Sequence, residues 1–338
     1  QIASALVLFL AGSANSFSNP GSILLNNRVG IQCTLFANQN DDEEIASFER
    51  RDFLAAAAVG AGVIPFQFVS PAFAEGGPIC VIGANGKTGS ECIGACISRG
   101  IGVVATSRGG VYTGAYASKK VAEAVCDVTI PETITSAVKG SRAVIFAASA
   151  SKAGGTPAVV DNEGLVNVAK ACIENKIPSL VIVSSGGVSK PDSPVYKFLN
   201  IFGNIMEEKI KGEDAVRDLY KSVYNSASTY TIIRPGGLTE EEARGVGALE
   251  LNQGDTKSGR IARADVAALC VEATLFPKQA GGTTFECYDA DTAKPLQTVG
   301  LSNIMKQKNK AGEDAFVSGK ERRGSTFADI FTGLEKDF

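Results

Sequence analysis

The stretch "VIGANGKTG", Val81 to Gly89, decides how the rest of the chain is read. The apolar, β-branched run from Pro78 to Ile82 predicts a short strand, and a helix-forming segment follows the glycines. Gly83, Gly86 and Gly89 are spaced G-x-x-G-x-x-G between the two. Glycine is needed where a backbone turns with positive φ and where a phosphate must approach the main chain. The helix start adds free N–H donors and the positive end of a dipole. A glycine triplet alone also marks plain turns, but in a strand–turn–helix setting it predicts a dinucleotide site. Gly83, Asn85, Gly86, Lys87, Thr88 and Gly89 are its first candidate contacts.

About twenty residues on, the second strand ends "ATSRGG", residues 105–110. An acidic residue there would accept a bond from a ribose hydroxyl and repel a 2′-phosphate. Ser107 and Arg108 do the reverse, because guanidinium pairs well with phosphate. Lys87 adds a second positive charge, so NADP(H) is expected over NAD, the alternative being that both cations are solvated surface charges. Asp127 and Val128, after the third strand, are expected beside the adenine, and Ala148 and Ser149, after the fourth, beside the cofactor's middle.

Working outward, strand-like and helix-like stretches alternate. "GVVAT", "EAVCDV", "RAVIFAAS", "SLVIVSS" and "TYTIIR" read as strands two to six. "PETITSAVKG" is a helix opened by proline and closed by glycine. In "NEGLVNVAKACIENK" the apolar Leu165, Val168, Ala169 and Cys172 follow a 3.6 period. A long polar helix lies around 203–223, and "RADVAALCVEATLF" is another helix. Apolar strands alternating with helices predict an α/β fold, a doubly wound parallel sheet covered on both faces, spanning residues 78–310. Its ligand belongs at the carboxyl ends of the strands, near the switch point. Residues 311–338 are charged and glycine-containing and read as a C-terminal tail or peripheral helix.

The first 75 residues read as a targeting region. "IASALVLFLA" followed by "GSANSF" has the shape of a secretory segment and its cleavage site, and starting at Gln1 implies that a charged leader is missing. Through about residue 45 the chain is expected to be leader or disordered. Residues 49–74, "ERRDFLAAAAVGAGVIPFQFVSPAFA", resemble a twin-arginine signal with its A-x-A site, the alternative being an uncleaved anchor from Leu54 to Val69. Pro65 and the glycines argue against a stable span in the mature form. Phe17 resembles the phenylalanine at the signal/transit junction of proteins entering plastids of secondary origin, so a plastid (chloroplast), and within it the thylakoid lumen or its membrane, is the expected compartment.

Composition removes several classes. The net charge of −3 gives no support for nucleic-acid binding. There is no histidine, which excludes a serine–histidine triad and a histidine-based zinc site, so no metal is expected. None of the eight cysteines forms a Cys-x-x-Cys pair, and they read as small packed hydrophobes rather than redox or metal groups.

"VIGANGKTG", the strand end "VIVSSGGV", "TIIRPGGL" at 231–238 and "RADVAALC" at 263–270 together resemble the atypical short-chain dehydrogenase/reductase family, and within it the NmrA-like NAD(P)-binding proteins of plant plastids. The resemblance runs from about 79 to 290. It implies a Rossmann fold with a small C-terminal substrate lobe. Some members are reductases; others bind cofactor as assembly or redox-sensing factors. Catalytic members use a serine and a Tyr-x-x-x-Lys. Ser185 matches the serine, with Ser184 adjacent; Lys211 matches the lysine, with Lys209 the competitor. The tyrosine is missing: Glu207 stands four before Lys211, and Ile205 four before Lys209. Glu207 donates a proton only if burial raises its pKa; otherwise it lies on an exposed helix face. Pro235 and Gly236 match the loop bordering the nicotinamide. The expected function is therefore a weak or unusual NADP(H)-dependent oxidoreductase on a small organic substrate, or a non-catalytic NADP(H)-binding factor of a thylakoid complex.

Overall fold

The structure, a computed structural model, describes residues 22–26, 32–36, 76–119, 121–151, 154–201, 203–223, 228–299 and 316–338. The chain divides into two units, Gln1–Phe68 and Val69–Phe338. In the first, β1 (Ser22–Asn26) pairs antiparallel with β2 (Gln32–Phe36), Ser22 opposite Phe36. The reading of this stretch as leader or disordered passed over two five-residue runs, SILLN and QCTLF, each long enough to pair. The twin-arginine segment and Phe17 lie outside the described residues.

The second unit is built on one eight-stranded sheet. Its first half contains β3 (Ile79–Ile82), α1 (Lys87–Ser98), β4 (Val103–Ser107), β5 (Ala122–Val125), α2 (Pro131–Val138) and β6 (Ala143–Phe146). A π-helical turn over Ala158–Gly164 then runs into α3 (Leu165–Glu174), followed by β7 (Ser179–Val183), α4 (Pro194–Asn200), α5 (Ile205–Ser222) and β8 (Thr229–Pro235). The second half contains β9 (Gly237–Thr239), β10 (Leu249–Asn252), β11 (Lys257–Ser258), β12 (Arg260–Ala262), α6 (Arg263–Leu275), α7 (Pro277–Ala280), β13 (Thr283–Asp289), β14 (Lys294–Pro295) and α8 (Phe327–Phe331).

Strand order is β10-β13-β8-β7-β6-β3-β4-β5, parallel throughout except that β10 runs antiparallel to β13. This is the Rossmann order, with the chain reversing direction across the sheet between β3 and β6. Double coverage explains the uninterrupted apolar strands. Ile79 and Val81 pack with α1 and α6 on one face, while Cys80 and Ile82 pack with α2, α3 and α5 on the other. All seven described free cysteines are buried, and desolvation holds the Cys80 and Cys172 thiols well above the ordinary range, so they pack as hydrophobes.

Two features depart from the sequence reading. The sheet has strands beyond the expected six, because β13 ("TTFECYD") carries two carboxylates inside a fully buried strand and does not look like core. Of the two readings of the C-terminal stretch, tail or peripheral helix, the structure has a short helix, and it is packed rather than peripheral. Ile330 and Phe331 are buried, and Phe331 stacks among Phe276, Phe285 and Phe327. Arg322 exchanges both backbone bonds with Leu251. Five helical residues held by a Thr326–Asp329 capping box are too few to show a period in sequence. Among the described residues, no helix is long and apolar enough to cross a membrane, and no group of three or more His, Cys, Asp or Glu side chains is placed to hold a metal.

Candidate functional site

The glycine turn carries its geometry in two residues. Gly83 has φ +83°, and a Cβ there would sit 2.7 Å from the Ala148 nitrogen. At Gly89 a Cβ would collide with the Gly83 carbonyl, so α1 approaches β3 only because both positions are glycine. Gly86 caps α1 without any side-chain bond, and the first turn holds no acidic residue. The free N–H groups and dipole end are therefore available to an anion, which is what a dinucleotide pyrophosphate requires.

A cleft of roughly 670 Å³ opens at the ends of β3, β4 and β6 and is lined by Gly83, Asn85, Gly86, Ser107, Arg108, Asp127, Val128, Ala148 and Ser149. Its rim is tied together locally. Asn85 donates to the Val111 carbonyl at 2.9 Å and accepts from the Thr113 N–H at 2.8 Å. Ser107 Oγ closes the 107–111 loop on Val111, so this hydroxyl is engaged within the loop. Asp127 is held below the usual carboxylate range by the N–H and hydroxyl of Thr129, with a smaller pull from Arg108. Lys87 turns away from the cleft and pairs with Glu240 at 2.9 Å, which in turn binds Arg263. The expected second cation is thus committed elsewhere.

A second cavity, of roughly 450 Å³, adjoins the cleft. Thr88, Ala148, Ser149, Ser184, Ser185, Pro235 and Gly236 lie on its wall, and Ala147–Ser149 belong to both spaces. Of the two candidate lysines, Lys209 lines this cavity and Lys211 does not. Lys211 points to solvent, where Glu207 and Glu208 each accept from it at 2.8 Å and raise its pKa. Glu207 is 44% exposed and lies on the solvent face of the helix. Both residues lie outside the cavity, because on α5 a shift of two positions turns a side chain by about half a turn. Ile205, four before Lys209, lines the cavity where the tyrosine was expected, and no tyrosine is among the described residues of that wall.

The structure adds a residue that sequence reasoning missed. Asp161 is fully buried in the π-helical turn, with Oδ1 2.7 Å from Lys209 Nζ and 2.7 Å from Ser149 Oγ. Its Oδ2 accepts the Ala150 N–H at 2.8 Å. The extra residue in the turn rotates Asp161 inward, and Gly212 lets α5 press against it: a Cβ there would be 2.6 Å from the Asp161 carbonyl oxygen. "VVDNEG" carries no mark of a π-turn, so only the buried Asp in an apolar helix start could have signalled it.

Behind Ser184 lies a buried ionic cluster. Ser184 Oγ donates to Glu213 at 2.5 Å, and Glu213 also takes Arg234 Nη2 at 2.6 Å and Arg217 Nη2 at 2.8 Å. Burial alone would raise Glu213, but the two guanidiniums outweigh it and hold its pKa low. Arg234 further faces Glu286 at 3.4 Å and Asp255 at 4.0 Å. Five carboxylates, counting Asp214 and Asp337 on Arg217, thus meet two guanidiniums. Desolvation, reinforced by Asp255, pushes Glu286 up to about 8. Its folded pKa exceeds its unfolded value, so its contribution to stability is full below about 4.5 and lost as pH rises through 8. Glu286→Gln, which mimics the protonated acid, is expected to match the parent near pH 5 and exceed its stability by on the order of 2 kcal/mol near pH 8.5. Denaturant melts at the two pH values check this; an equal difference at both would refute it.

Over residues 83–277 the sequence matches the NAD(P)H-binding family. It is 30% identical over 208 residues to an uncharacterized chloroplastic protein of Arabidopsis thaliana, covering 58% of this chain and 71% of that one. Sanguinarine reductase of Eschscholzia californica is 38% identical over 123 residues, 35% of this chain and 41% of that protein. Protein TIC 62, chloroplastic, of Pisum sativum is 28% identical over 181 residues, 47% and 32%. The chain therefore spans less than half the length of the last two. Among solved structures, a putative NAD-dependent epimerase/dehydratase from Bacillus halodurans superposes with a TM-score of 0.53 at 25% identity, covering 66% of this chain and 97% of that one. An anaerobillin reductase from Escherichia coli O157:H7 gives 0.51 at 23%, covering 64% and 99%, a likeness of fold.

Proposed function

The chain belongs to the NAD(P)H-binding family, of the atypical short-chain dehydrogenase/reductase type, and from that premise we propose that it is an NADP(H)-dependent oxidoreductase acting on a small organic substrate in a plastid. The observation that carries the reading is the shared wall Ala147–Ser149, which joins the cleft at the glycine turn to the second cavity. The glycine turn and the start of α1 would hold the pyrophosphate, and Ala148 and Ser149 would lie along the cofactor where the cleft meets the cavity. Bound there, the cofactor would supply a hydride for an electrophilic carbon. The Ser184 hydroxyl is engaged as a donor to Glu213, so Ser185, bonded only weakly to the Gly186 carbonyl at 3.3 Å, is the hydroxyl open to donate to a substrate oxygen. Lys209, fixed by Asp161, would hold the ribose. With no tyrosine among the described residues of the wall, the balancing proton comes from water by way of Ser185.

Chloroplastic relatives support the plastid, and residues 49–74 support a finer placement at the thylakoid. The preference for NADP(H) rests on Arg108, an exposed guanidinium on the cleft wall. The chain has no tryptophan, so the reduced cofactor's own fluorescence reports binding cleanly. Titrated with the full chain, NADPH is expected to bind roughly tenfold tighter than NADH, and Arg108→Glu to erase that margin by weakening NADPH alone. Equal affinities in the parent chain would refute the role of Arg108.

A further inference from the structure

The second cavity is asymmetric in chemistry. One part of the lining is apolar: Val195, Phe198 and Leu199 from α4 and Met206 from α5, with Val299, which clusters with Val195 and Leu199. The other part is cationic, carrying Arg260 and Lys294 with Arg263 beside them. None of the 25 described lining residues is Asp or Glu. The carboxylates that answer Lys209 and Arg263, namely Asp161 and Glu240, stand behind the wall.

The cationic side is held rigidly. Ser258 of β11 pairs with Lys294 of β14, and Arg260 of β12 pairs with Gly237 of β9. The Arg260 N–H donates to Thr292 Oγ1 at 2.8 Å, locking the two strand pairs together. Gly259, between Ser258 and Arg260, packs its carbonyl so closely on Gly236 that a Cβ there would collide. Arg260 and Lys294 therefore rise from a short, braced platform that abuts the nicotinamide loop.

From this arrangement we infer that the cavity selects an amphipathic organic anion: an apolar body seated against α4 and α5, and a carboxylate, or a group of equal charge and shape, on Arg260 and Lys294. Guanidinium offers paired donors that match a carboxylate, and an ammonium adds charge without demanding one geometry. A volume of roughly 450 Å³ suits a drug-sized organic molecule. Positively charged or wholly apolar compounds gain nothing from the cationic side and are rejected by it. The inference names the substrate class of the proposed oxidoreductase and rests on that reading for the word substrate; the recognition itself is a property of the cavity.

Three fluorescent probes of one shape separate the outcomes: 1-pyrenebutyrate, 1-pyrenebutanol and 1-pyrenebutylammonium, titrated into the full chain with and without saturating NADPH. The anion is expected to bind at least about tenfold tighter than the alcohol, the ammonium weakest, and the margin to shrink with salt. Lys294→Glu should remove the margin while the NADPH titration is unchanged, and Lys294→Gln should reduce it partway. Equal binding of anion and alcohol, a preference for the ammonium, or a margin unmoved by both substitutions overturns the inference. Since the first comparison needs only the parent chain, misfolding of a variant does not shelter it. NADPH failing to bind while the anion margin holds would refute the oxidoreductase reading alone; the reverse would refute this one alone.

Discussion

Arg234→Met is expected to lower the melting temperature by about 10 °C, the largest stability loss we assign to one side chain outside the glycine turn. The guanidinium is 6% exposed and touches Glu213, Glu286 and Asp255. Methionine fills a similar volume but leaves those carboxylates without their central partner, and an uncompensated buried charge costs about 3–5 kcal/mol. Spread over a unit of this size, each kcal/mol moves the melting point by roughly 2–4 °C. Arg234→Lys keeps the charge but not the fork, and should lose less. The family resemblance places "RPGG" at the nicotinamide, and Pro235 and Gly236 do line the cavity, but Arg234 serves the ionic cluster behind it. A melt within 2 °C of the parent, followed by circular dichroism, would show that the cluster is dispensable. The effect also reaches the site, because Glu213 is what holds the Ser184 hydroxyl.

How far the sequence could be read follows from what each feature depends on. The glycine turn is legible because its constraint is local: a positive φ and a close helix approach must be written as glycine at fixed spacing. Strands β3 and β6 are legible because burial on both faces leaves no polar position in them. Most of the central residues of β7 and β8 are apolar for the same reason, whereas β5 is an exposed edge strand carrying Glu123. β13 is hidden by Glu286 and Asp289, whose partners arrive from elements far along the chain. The C-terminal segment is hidden for a related reason, since Asp337 is meaningful only beside Arg217, Tyr230 and Thr284. Lys209 and Lys211 cannot be told apart by spacing when the tyrosine that fixes the register is absent. The choice is made by rotation about α5, which depends on Gly212 meeting the π-turn. Asp161 was missed because its inward aim comes from one extra residue in that turn.

Lys209→Met is expected to cut NADPH oxidation by the full chain, assayed with menadione as acceptor, by on the order of 100-fold or more, whereas Lys211→Met should leave it within about twofold. The difference follows from position alone: Lys209 is on the cavity wall against Asp161, and Lys211 is half exposed between two glutamates. Lys209→Met has a second consequence, since Asp161 is left as a buried carboxylate with only Ser149 and the Ala150 N–H as donors. That loss destabilises the fold and could by itself lower activity. The double variant Asp161→Asn/Lys209→Met separates the two effects. A neutral amide removes the stranded charge, so the melting temperature should return most of the way to the parent's. Turnover should stay low, because no cation stands beside the ribose. If turnover recovers with stability, Lys209 is a strut for the π-turn and not a cofactor ligand. A low rate at normal stability, with weakened NADPH binding, is the pattern that assigns it to the cofactor. Asp161→Asn alone should fall between these, its kcat reduced and the KM for acceptor little changed, as expected of a residue that positions the lysine without touching the substrate.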